Sequence, residues 1–312
     1  MISQRKGEWV EIIVPRQWDG YTIEYLLKEV WHVPKGFLHQ FRTDKRIKVN
    51  GEIYPMSKEL HMDEKLLIYM FPEEEYGVVP SFSDIDILYE DNYLLVINKF
   101  AGTEVHPTGL GQTNTLANFI AYYFFVNGIK TKIRHIHRLD KDTTGAILFA
   151  KNGLTGALLD RSLENRTIKR TYIALVHGKV KDRKGKIIRP IGRDRHHPTR
   201  RIVSSTGQDA VTYFEVLEYY PKEDITLVKL ELETGRTHQI RVHMSYMGHS
   251  LIGDDLYGGS TDTIYSRQAL HAIKITFPHP ITNELIICTA PFTDNPPIFA
   301  DSIIKKIHID WV

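Results

Sequence analysis

The stretch VTYFEVLEYYPKEDITLVKLELE, residues 211–233, contains two strand-like runs with no helical segment between them. Strands that follow one another directly in a chain pair as antiparallel neighbours, because parallel pairs need a long crossover. Four similar runs occur elsewhere: LLVINK (94–99), AILFAK (146–151), TYIALVHG (171–178) and ALHAIKITF (269–277). We therefore predict an α+β fold with a mixed, largely antiparallel sheet, and not a doubly wound fold.

Helical patterns are fewer in this part of the chain. We predict helices over TLANFIAYYFF (115–125), LTGALLDRSLEN (154–165) and HQIRVHMSYMG (238–248). The simplest interpretation of the last segment places Ile240 and Met244 in the core, Thr237 at the N-cap and Arg241 on the surface, and we accept it for Ile240 and Met244.

A smaller unit precedes these strands, and it combines two helices with two short strands. The helices are predicted over GYTIEYLLKEVWHV (20–33) and KGFLHQFRTDK (35–45). The strands are RIKVNGEIY (46–54), which contains an Asn-Gly turn, and KLLIYMF (65–71). The apolar residues with helical spacing in the first helix are Ile23, Leu26, Leu27 and Val30.

The segment PEEEYGVVPSFSD (72–84) combines two prolines, a glycine and an acidic triplet, which is the composition of a linker. We therefore predict an N-terminal domain over 1–72, a linker over 73–83 and a second domain over 84–312. A chain of 312 residues is long enough for two such cores.

The composition is that of a folded protein, with 42% hydrophobic and 25% charged residues. The single cysteine, Cys288, excludes an internal disulfide framework and fits a reducing compartment. The chain contains no apolar run of the roughly 18 residues that a membrane crossing requires, so we expect a cytoplasmic protein.

The charge is unevenly distributed, although the net charge is only +2. Residues 179–201 contain ten Lys or Arg against two Asp, a local net charge of +8. The N-terminal unit carries a second basic cluster, formed by Lys28, Lys35, Arg42, Lys45, Arg46 and Lys48. Basic faces of this kind suit a polyanionic partner.

Asp140 lies in HRLDKDTTG (137–145), a turn directly ahead of an apolar strand. An aspartate in such a turn commonly bonds its own backbone, and a helix cap, a metal ligand or a reacting carboxylate are the alternatives. The flanking Arg138 and Lys141, and a second basic stretch at ETGRTHQIRVHM (233–244), make a reactive role worth testing. Arg236 follows Gly235 at a strand-to-helix junction, where an arginine can hold a carboxylate by a forked bond.

Tyr172 follows Arg166, Lys169 and Arg170 in NRTIKRTY (165–172). A strand tyrosine commonly packs half-buried, but an aromatic ring beside cations can also stack on an unpaired base.

Other chemistries lack their sequence signatures. His135 and His137 have no cysteine pair, H-E-x-x-H motif or carboxylate cluster beside them, so we expect no metal site. The chain has no G-x-S-x-G and no glycine-rich phosphate loop, so neither a serine triad nor dependence on ATP or NAD is indicated.

Four segments together resemble the RluA family of pseudouridine synthases: EDNYLLVINKFAGTEVHP (90–107), HRLDKDTTG (137–145), LETGRTHQIRVHMSYMGHSLIGDDLYGG (232–259) and LHAIKITFPHPITNE (270–284). The segment RTIKRTY (166–172) is similar to the one that carries the family's active-site tyrosine. The resemblance covers about residues 84–312, with the motifs in the family's order. Phe100 and Thr144 stand where the family commonly has Pro and Ser. The first unit is similar to an S4-type RNA-binding module, most clearly at RIKVNGEIY (46–54), whereas LHQFRTDK (38–45) departs from it.

The resemblance implies an isomerase that converts uridine in structured RNA to pseudouridine without a cofactor. It implies that Asp140 is the catalytic carboxylate, that Tyr172 stacks on the target base, and that Arg236 keeps Asp140 ionised. RNA is the expected partner, and large-subunit ribosomal RNA is the expected substrate. The alternatives are a transfer RNA pseudouridine synthase, or a non-catalytic RNA-binding protein that keeps the fold. We expect a monomer. The residues predicted to bind RNA are Arg138, His137, Lys99, Arg166, Arg170, Arg42, Lys45, Arg46 and Lys48.

Overall fold

The computed structural model describes residues 3–259 and 265–309, and its N-terminal unit is built on a five-stranded antiparallel sheet. The strands lie in the order β1-β2-β5-β3-β4. The predicted strands are confirmed as β3, β4 and β5, and the sheet has two further strands, β1 and β2, at its N-terminal side. Their bounds are β1 (Ser3–Lys6), β2 (Trp9–Ile13), β3 (Ile47–Val49), β4 (Glu52–Ile53) and β5 (Lys65–Tyr69).

The first predicted helix is shorter than the pattern indicated, and it widens at its end. Helix α1 (Ile23–Tyr25) begins at Thr22, whose hydroxyl accepts the N–H of Tyr25, and it continues as a π-helical turn over Leu26–Val30. The wider turn departs from helical spacing, so Val30 is exposed while Leu26 and Leu27 are buried. Helix α2 (Lys35–Thr43) matches its prediction.

The rest of the chain is built on a ten-stranded sheet in the order β11-β14-β15-β10-β16-β9-β7-β6, with β17 pairing β16 and β8 pairing β9. Strand β9 runs parallel to β16, and the other pairs in this sheet are antiparallel within the described residues. The predicted mixed, largely antiparallel α+β fold is thus confirmed. Its strands are β6 (Asp86–Glu90), β7 (Leu94–Lys99), β8 (Arg134–His135), β9 (Thr144–Ala150), β10 (Lys169–His177), β11 (Lys184–Ile188), β14 (Val211–Tyr220), β15 (Ile225–Leu232), β16 (Leu270–Pro278) and β17 (Leu285–Thr289). Between β11 and β14 lies a separate hairpin of β12 (Ile191–Arg193) and β13 (Arg201–Val203).

The three predicted helices pack around this sheet, as α3 (Leu116–Val126), α4 (Gly153–Glu164) and α5 (Gln239–Tyr246). A further helix, α6 (Asp301–Ile309), follows β17. Ile240 and Met244 of α5 lie in the core, as predicted. The interpretation of Thr237 as the N-cap is wrong: α5 begins after His238, which has a left-handed backbone with φ of 57°.

The N-terminal unit and the larger unit share one hydrophobic cluster. Leu154 and Leu158 of α4, together with Ile281, pack into the core that the N-terminal sheet forms. The connecting segment contains no helix or strand, but it is held in place because Arg134 Nη2 bonds Glu74 Oε1 at 2.5 Å. Helix α4 therefore fixes the position of the first unit against the large sheet.

Candidate active site

Asp140 lies in the loop between β8 and β9, where its carboxylate is partly exposed. Its backbone carbonyl accepts the N–H of Thr143 at 3.1 Å, so the residue does form a turn. The carboxylate itself accepts a hydrogen bond from the side chain of Arg241, with Nη1 to Oδ2 at 3.1 Å. The turn therefore presents the carboxylate to another element instead of consuming it in a local backbone bond.

Arg241 is buried on α5, and the interpretation that places it on the surface is wrong. Its Nε and Nη2 bond both oxygens of Asp254, at 2.7 and 2.8 Å, while Nη1 reaches Asp140. Burial alone lowers the pKa of Arg241, but the hydrogen bonds and charges of Asp254 and Asp140 outweigh burial and raise it. One guanidinium thus links a fully buried carboxylate to the partly exposed one.

Arg236 lies near this centre but does not hold Asp140, so the predicted pairing of these two residues is wrong. Its Nε donates to the backbone carbonyl of Asp209 at 3.0 Å. The guanidinium lines the same cleft as Asp140 and Arg138. The fork to a carboxylate belongs to Arg241, five residues further along the chain.

Tyr172 is buried on β10 and lines a small cavity together with Asp140, Arg138, Arg236 and Arg241. Burial raises the pKa of its hydroxyl, so the ring is neutral at neutral pH. The cavity is therefore bounded by a carboxylate on one side and by an aromatic side chain on another.

His238 and Tyr257 complete the surroundings of Asp140, and neither was predicted from the sequence. His238 Nε2 lies 4.0 Å from Asp140 Oδ1, and its Nδ1 is 2.9 Å from the Tyr257 hydroxyl. Burial lowers the pKa of His238, although Asp140 opposes that effect. The left-handed backbone at His238 turns the chain into α5, and this local feature is difficult to read from a pattern.

Three residues predicted to bind RNA are buried, and two of them, Lys99 and His137, form hydrogen bonds within the protein. Lys99 is fully buried, and its Nζ donates to the carbonyls of Phe100, Thr103 and Lys141 at 2.7–2.9 Å. Burial lowers the pKa of Lys99 to about 7, while the three acceptors match the three N–H donors of its ammonium form. Lys99 therefore ties the Asp140 loop to the end of β7.

His137 is also buried, and its Nε2 accepts the N–H of Leu148 at 3.3 Å. Burial lowers the pKa of His137 to about 3, which makes the ring a neutral core group. His137 also lines a cleft beside Asp140, and its contact with RNA stays a prediction. Its neighbour Arg138 points outward and is exposed.

The other predicted RNA contacts fall into two groups. Arg138, Arg166, Arg170 and Arg236 line one cleft of about 490 Å³ with Asp140 and Glu233, which we name the arginine cleft. The second group lies on the N-terminal unit, where Arg42 and Lys45 are exposed. There Lys48 Nζ lies 4.6 Å from the ring centre of Trp9, and Arg46 lies 5.2 Å from that of Tyr69.

The basic stretch at 179–201 reaches the site through the hairpin of β12 and β13. The N–H of Arg201 donates to the Tyr257 hydroxyl at 2.9 Å, and Thr199 lines a second cleft beside Asp140. The positive charge of residues 179–201 therefore extends to the edge of the candidate site.

Asp140 therefore lies where three cavities meet, beside an aromatic side chain and between basic walls. This arrangement fits an enzyme that acts on a nucleotide within a polyanionic chain. Within the part of the chain that the structure describes, no helix has both the length and the apolar character needed to cross a membrane.

Comparisons with known proteins agree with this class. Residues 93–246 match the family described as RNA pseudouridylate synthase, and residues 10–66 match the RluD ribosomal pseudouridine synthase N-terminal domain. The chain is 49% identical over 288 residues to the uncharacterized RNA pseudouridine synthase YhcT of Bacillus subtilis. The aligned region covers 92% of this chain and 95% of that protein. It is 37% identical over 310 residues to ribosomal large subunit pseudouridine synthase D of Haemophilus ducreyi, covering 94% and 92% of the two chains.

Among solved structures, human RNA Pseudouridylate Synthase Domain Containing 1 is similar, with a TM-score of 0.56 and 27% identity. The match covers 72% of this chain and 89% of the human one. The chain belongs to the RluA family of RNA pseudouridine synthases, and it is an isomerase that acts on RNA.

Proposed function

We propose that this enzyme converts uridine to pseudouridine in large-subunit ribosomal RNA, with Asp140 as the catalytic carboxylate. The observation that carries the assignment of Asp140 is its position at the cavity bounded by Tyr172, where buried Arg241 holds the carboxylate. The ribosomal substrate is proposed from the relatives named ribosomal large subunit pseudouridine synthase D. That the enzyme acts in the cytoplasm as a monomer stays a prediction.

The reaction breaks the bond between N1 and C1′ and forms a bond between C5 and C1′, while C5 loses a proton and N1 gains one. Asp140 starts it by attacking the ribose or by taking a proton from it, and either role needs an ionised carboxylate. Arg241 supports that form by donating to Oδ2. The base, once unstacked from the RNA, would pack against Tyr172.

The unstacking costs about a few kcal/mol, which contacts to the RNA backbone must offset. Arg138 is the residue best placed to supply the first of these contacts. It is exposed, it lies two residues before Asp140, and it lines all three cavities that meet at the carboxylate.

The replacement Asp140→Asn tests the assignment. An amide keeps the shape of the turn but can neither attack nor accept the proton, so turnover should become undetectable while RNA binding persists. The assay is tritium release from large-subunit ribosomal RNA transcribed with 5-³H-uridine, with transfer RNA in parallel and filter binding on the same preparations. Turnover by the variant at the rate of the parent would refute the role of Asp140.

The same assay separates the alternative functions. Release from transfer RNA alone would assign the enzyme to transfer RNA. Binding without release by the parent would indicate a non-catalytic RNA-binding protein that keeps the fold. Carbodiimide mapping of RNA from cells with and without the protein would then identify the modified uridine.

A further inference from the structure

Arg170 is a buried cation without an anionic partner. The residue is 6% exposed, and no carboxylate of the described residues forms an ion pair with it. Among the described residues, the Arg170 side chain forms one hydrogen bond, from Nη2 to the carbonyl of Thr234, at a long distance of 3.4 Å. Its Nε is buried and has no hydrogen-bond partner.

The other two buried arginines of the described residues differ from Arg170 in this respect. Arg241 and Arg267 are each 7% exposed, and each bonds both oxygens of an aspartate, Asp254 and Asp294 respectively. A buried charge that has lost its partner is strongly destabilising, so native proteins pair such charges. Arg170 is therefore a buried cation whose charge no anion of the described residues balances.

The arginine cleft provides the space for an anion. Arg170 lines it together with Arg138 and Arg236, which also form no ion pair among the described residues. The acidic residues Asp140 and Glu233 of the cleft do not pair with Arg170. Arg241 holds Asp140, and Arg166 Nη1 bonds Glu233 Oε1 at 2.6 Å. Glu164, the remaining acid at the cleft, is exposed.

Gly235 makes room for this guanidinium. A Cβ at that position would lie 2.8 Å from Nη1 of Arg170, which is closer than real Cβ contacts come. A larger residue at 235 would push the guanidinium out of its place between β10 and the loop after β15. The glycine and the arginine thus form one built feature of the cleft wall.

Arg170 stands at a fixed offset from the proposed base site. It is two residues before Tyr172 on β10, about 7 Å along the strand, and the cavities that the two side chains line share Arg138, Asp140 and Arg236. An anion bound to Arg170 would therefore lie a short distance, about 7 Å, from a base packed against Tyr172. In RNA the anionic group at that distance is the phosphodiester beside the target nucleoside.

We propose that Arg170, with Arg138 and Arg236, forms a phosphate-binding site for a phosphodiester adjacent to the flipped uridine. The identity of the anion rests on the proposed function, because RNA supplies the phosphodiester. The site itself does not, since an unpaired buried guanidinium in a basic cleft should also bind free phosphate. This difference allows the two proposals to fail separately.

The first experiment uses inorganic phosphate as the probe on the full chain. Phosphate should raise the melting temperature of the parent relative to chloride at equal ionic strength, because a ligand bound only by the folded state stabilises it. Arg170→Met should lose this response. Without phosphate, the variant should melt no lower than the parent, because it removes an unpaired buried charge.

Lys222→Met is the matched control. Lys222 is exposed in the turn before β15, and the eight residues of that strand, roughly 27 Å in length, separate it from the loop that contains Thr234. This control removes one positive charge from the protein without touching the cleft. It should keep the full phosphate response.

The second experiment measures RNA affinity against salt concentration with a large-subunit ribosomal RNA transcript. Arg170→Met should bind about tenfold or more weakly, and its logarithmic salt slope should be smaller by roughly 0.7 for the one lost phosphate contact. A kcat close to that of the parent with a raised KM is expected, since Arg170 is proposed to grip RNA and not to touch the reacting atoms.

Several results would overturn the inference. One is an equal phosphate response in the parent and in Arg170→Met, and another is an unchanged salt slope. A lowered melting temperature of Arg170→Met without any phosphate response in the parent would show that the side chain is structural. Should that variant fail to fold, the Nε–H resonance of Arg170 in the parent, assigned with Arg170→Lys, replaces it: a shift on adding phosphate supports the site, and no shift overturns it.

The two proposals then separate cleanly. A phosphate response that depends on Arg170, in a protein that modifies no RNA, would keep the anion site and refute the proposed function. Modification of RNA with no role for Arg170 would do the reverse.

Discussion

Replacement of Arg241 by Met tests the link between the buried core and the active carboxylate. Arg241 bonds both oxygens of Asp254, whose side chain is fully buried, and it also holds Asp140. Met has a similar length and an apolar character suited to a buried site. The variant therefore removes the charge and the fork while leaving most of the volume filled.

The expected loss of stability is large because Asp254 would be left as a buried charge without a partner. Removing one member of a buried ion pair costs about 3–5 kcal/mol, against a total stability of roughly 5–15 kcal/mol for a typical domain. The bond to Asp140 should add little to this cost, because that carboxylate is partly exposed to water. Urea unfolding followed by circular dichroism measures the difference.

A second substitution separates stability from activity. Adding Asp254→Asn removes the stranded charge, so the double variant should recover much of the lost free energy of unfolding. Turnover should not recover, because Asp140 would still lack its cation. Tritium release at saturating RNA, well below the melting temperature, measures this second property.

Arg236→Met is the matched control, because Arg236 was the arginine that the sequence pattern favoured. Its Nε bonds a backbone carbonyl and no carboxylate among the described residues, so its replacement should cost about 1 kcal/mol or less. A larger loss of stability for Arg236→Met than for Arg241→Met would refute this reasoning. So would a double variant of Arg241 and Asp254 that regains full turnover.

Two further predictions follow from the packing. A chain that begins at Val78 exposes Leu154, Leu158 and Ile281, and it loses the Glu74 partner of Arg134. This shorter chain should melt at a lower temperature than the full chain and bind a hydrophobic dye. A melting temperature and dye binding equal to those of the full chain would contradict the shared core. Burial lowers the pKa of His271 to about 4, so the unfolded chain binds protons before the folded one, and stability should fall by about 2 kcal/mol for this group as pH drops from 7 to 5. Urea midpoints that stay constant over this range would contradict the second prediction.

The sheet could be predicted from the sequence because its strands have strong local patterns. The runs at 94–99, 146–151, 171–178, 211–220 and 225–233 each correspond closely to a strand of the structure. Their direct succession fixed the antiparallel pairing of β14 with β15. The N-terminal strands β1 and β2 are not predicted, because β1 (SQRK) has no apolar residue and β2 (WVEII) is only five residues long.

The partner of Asp140 could not be predicted because the first six residues of α5 are buried on every face. Residues 239–244 are all buried, so the usual pattern of a helix with one apolar and one exposed charged face does not apply to Arg241. Asp254 and Asp140 hold the buried guanidinium of Arg241, and the left-handed backbone at His238 leads the chain into the helix. That conformation costs energy for a residue with a side chain, so tertiary contacts must maintain it.

The same limitation explains why a count of basic residues overestimates the RNA surface. Lys99, Arg241 and Arg170 are all buried cations, and their residue types alone do not distinguish them. Their partners do: three carbonyls surround Lys99, and two carboxylates hold Arg241. Lys99 and Arg241 are therefore satisfied within the protein and serve to position the Asp140 loop. Arg170, with one long bond to a carbonyl, is the buried cation of the three that still requires an anion from outside the chain.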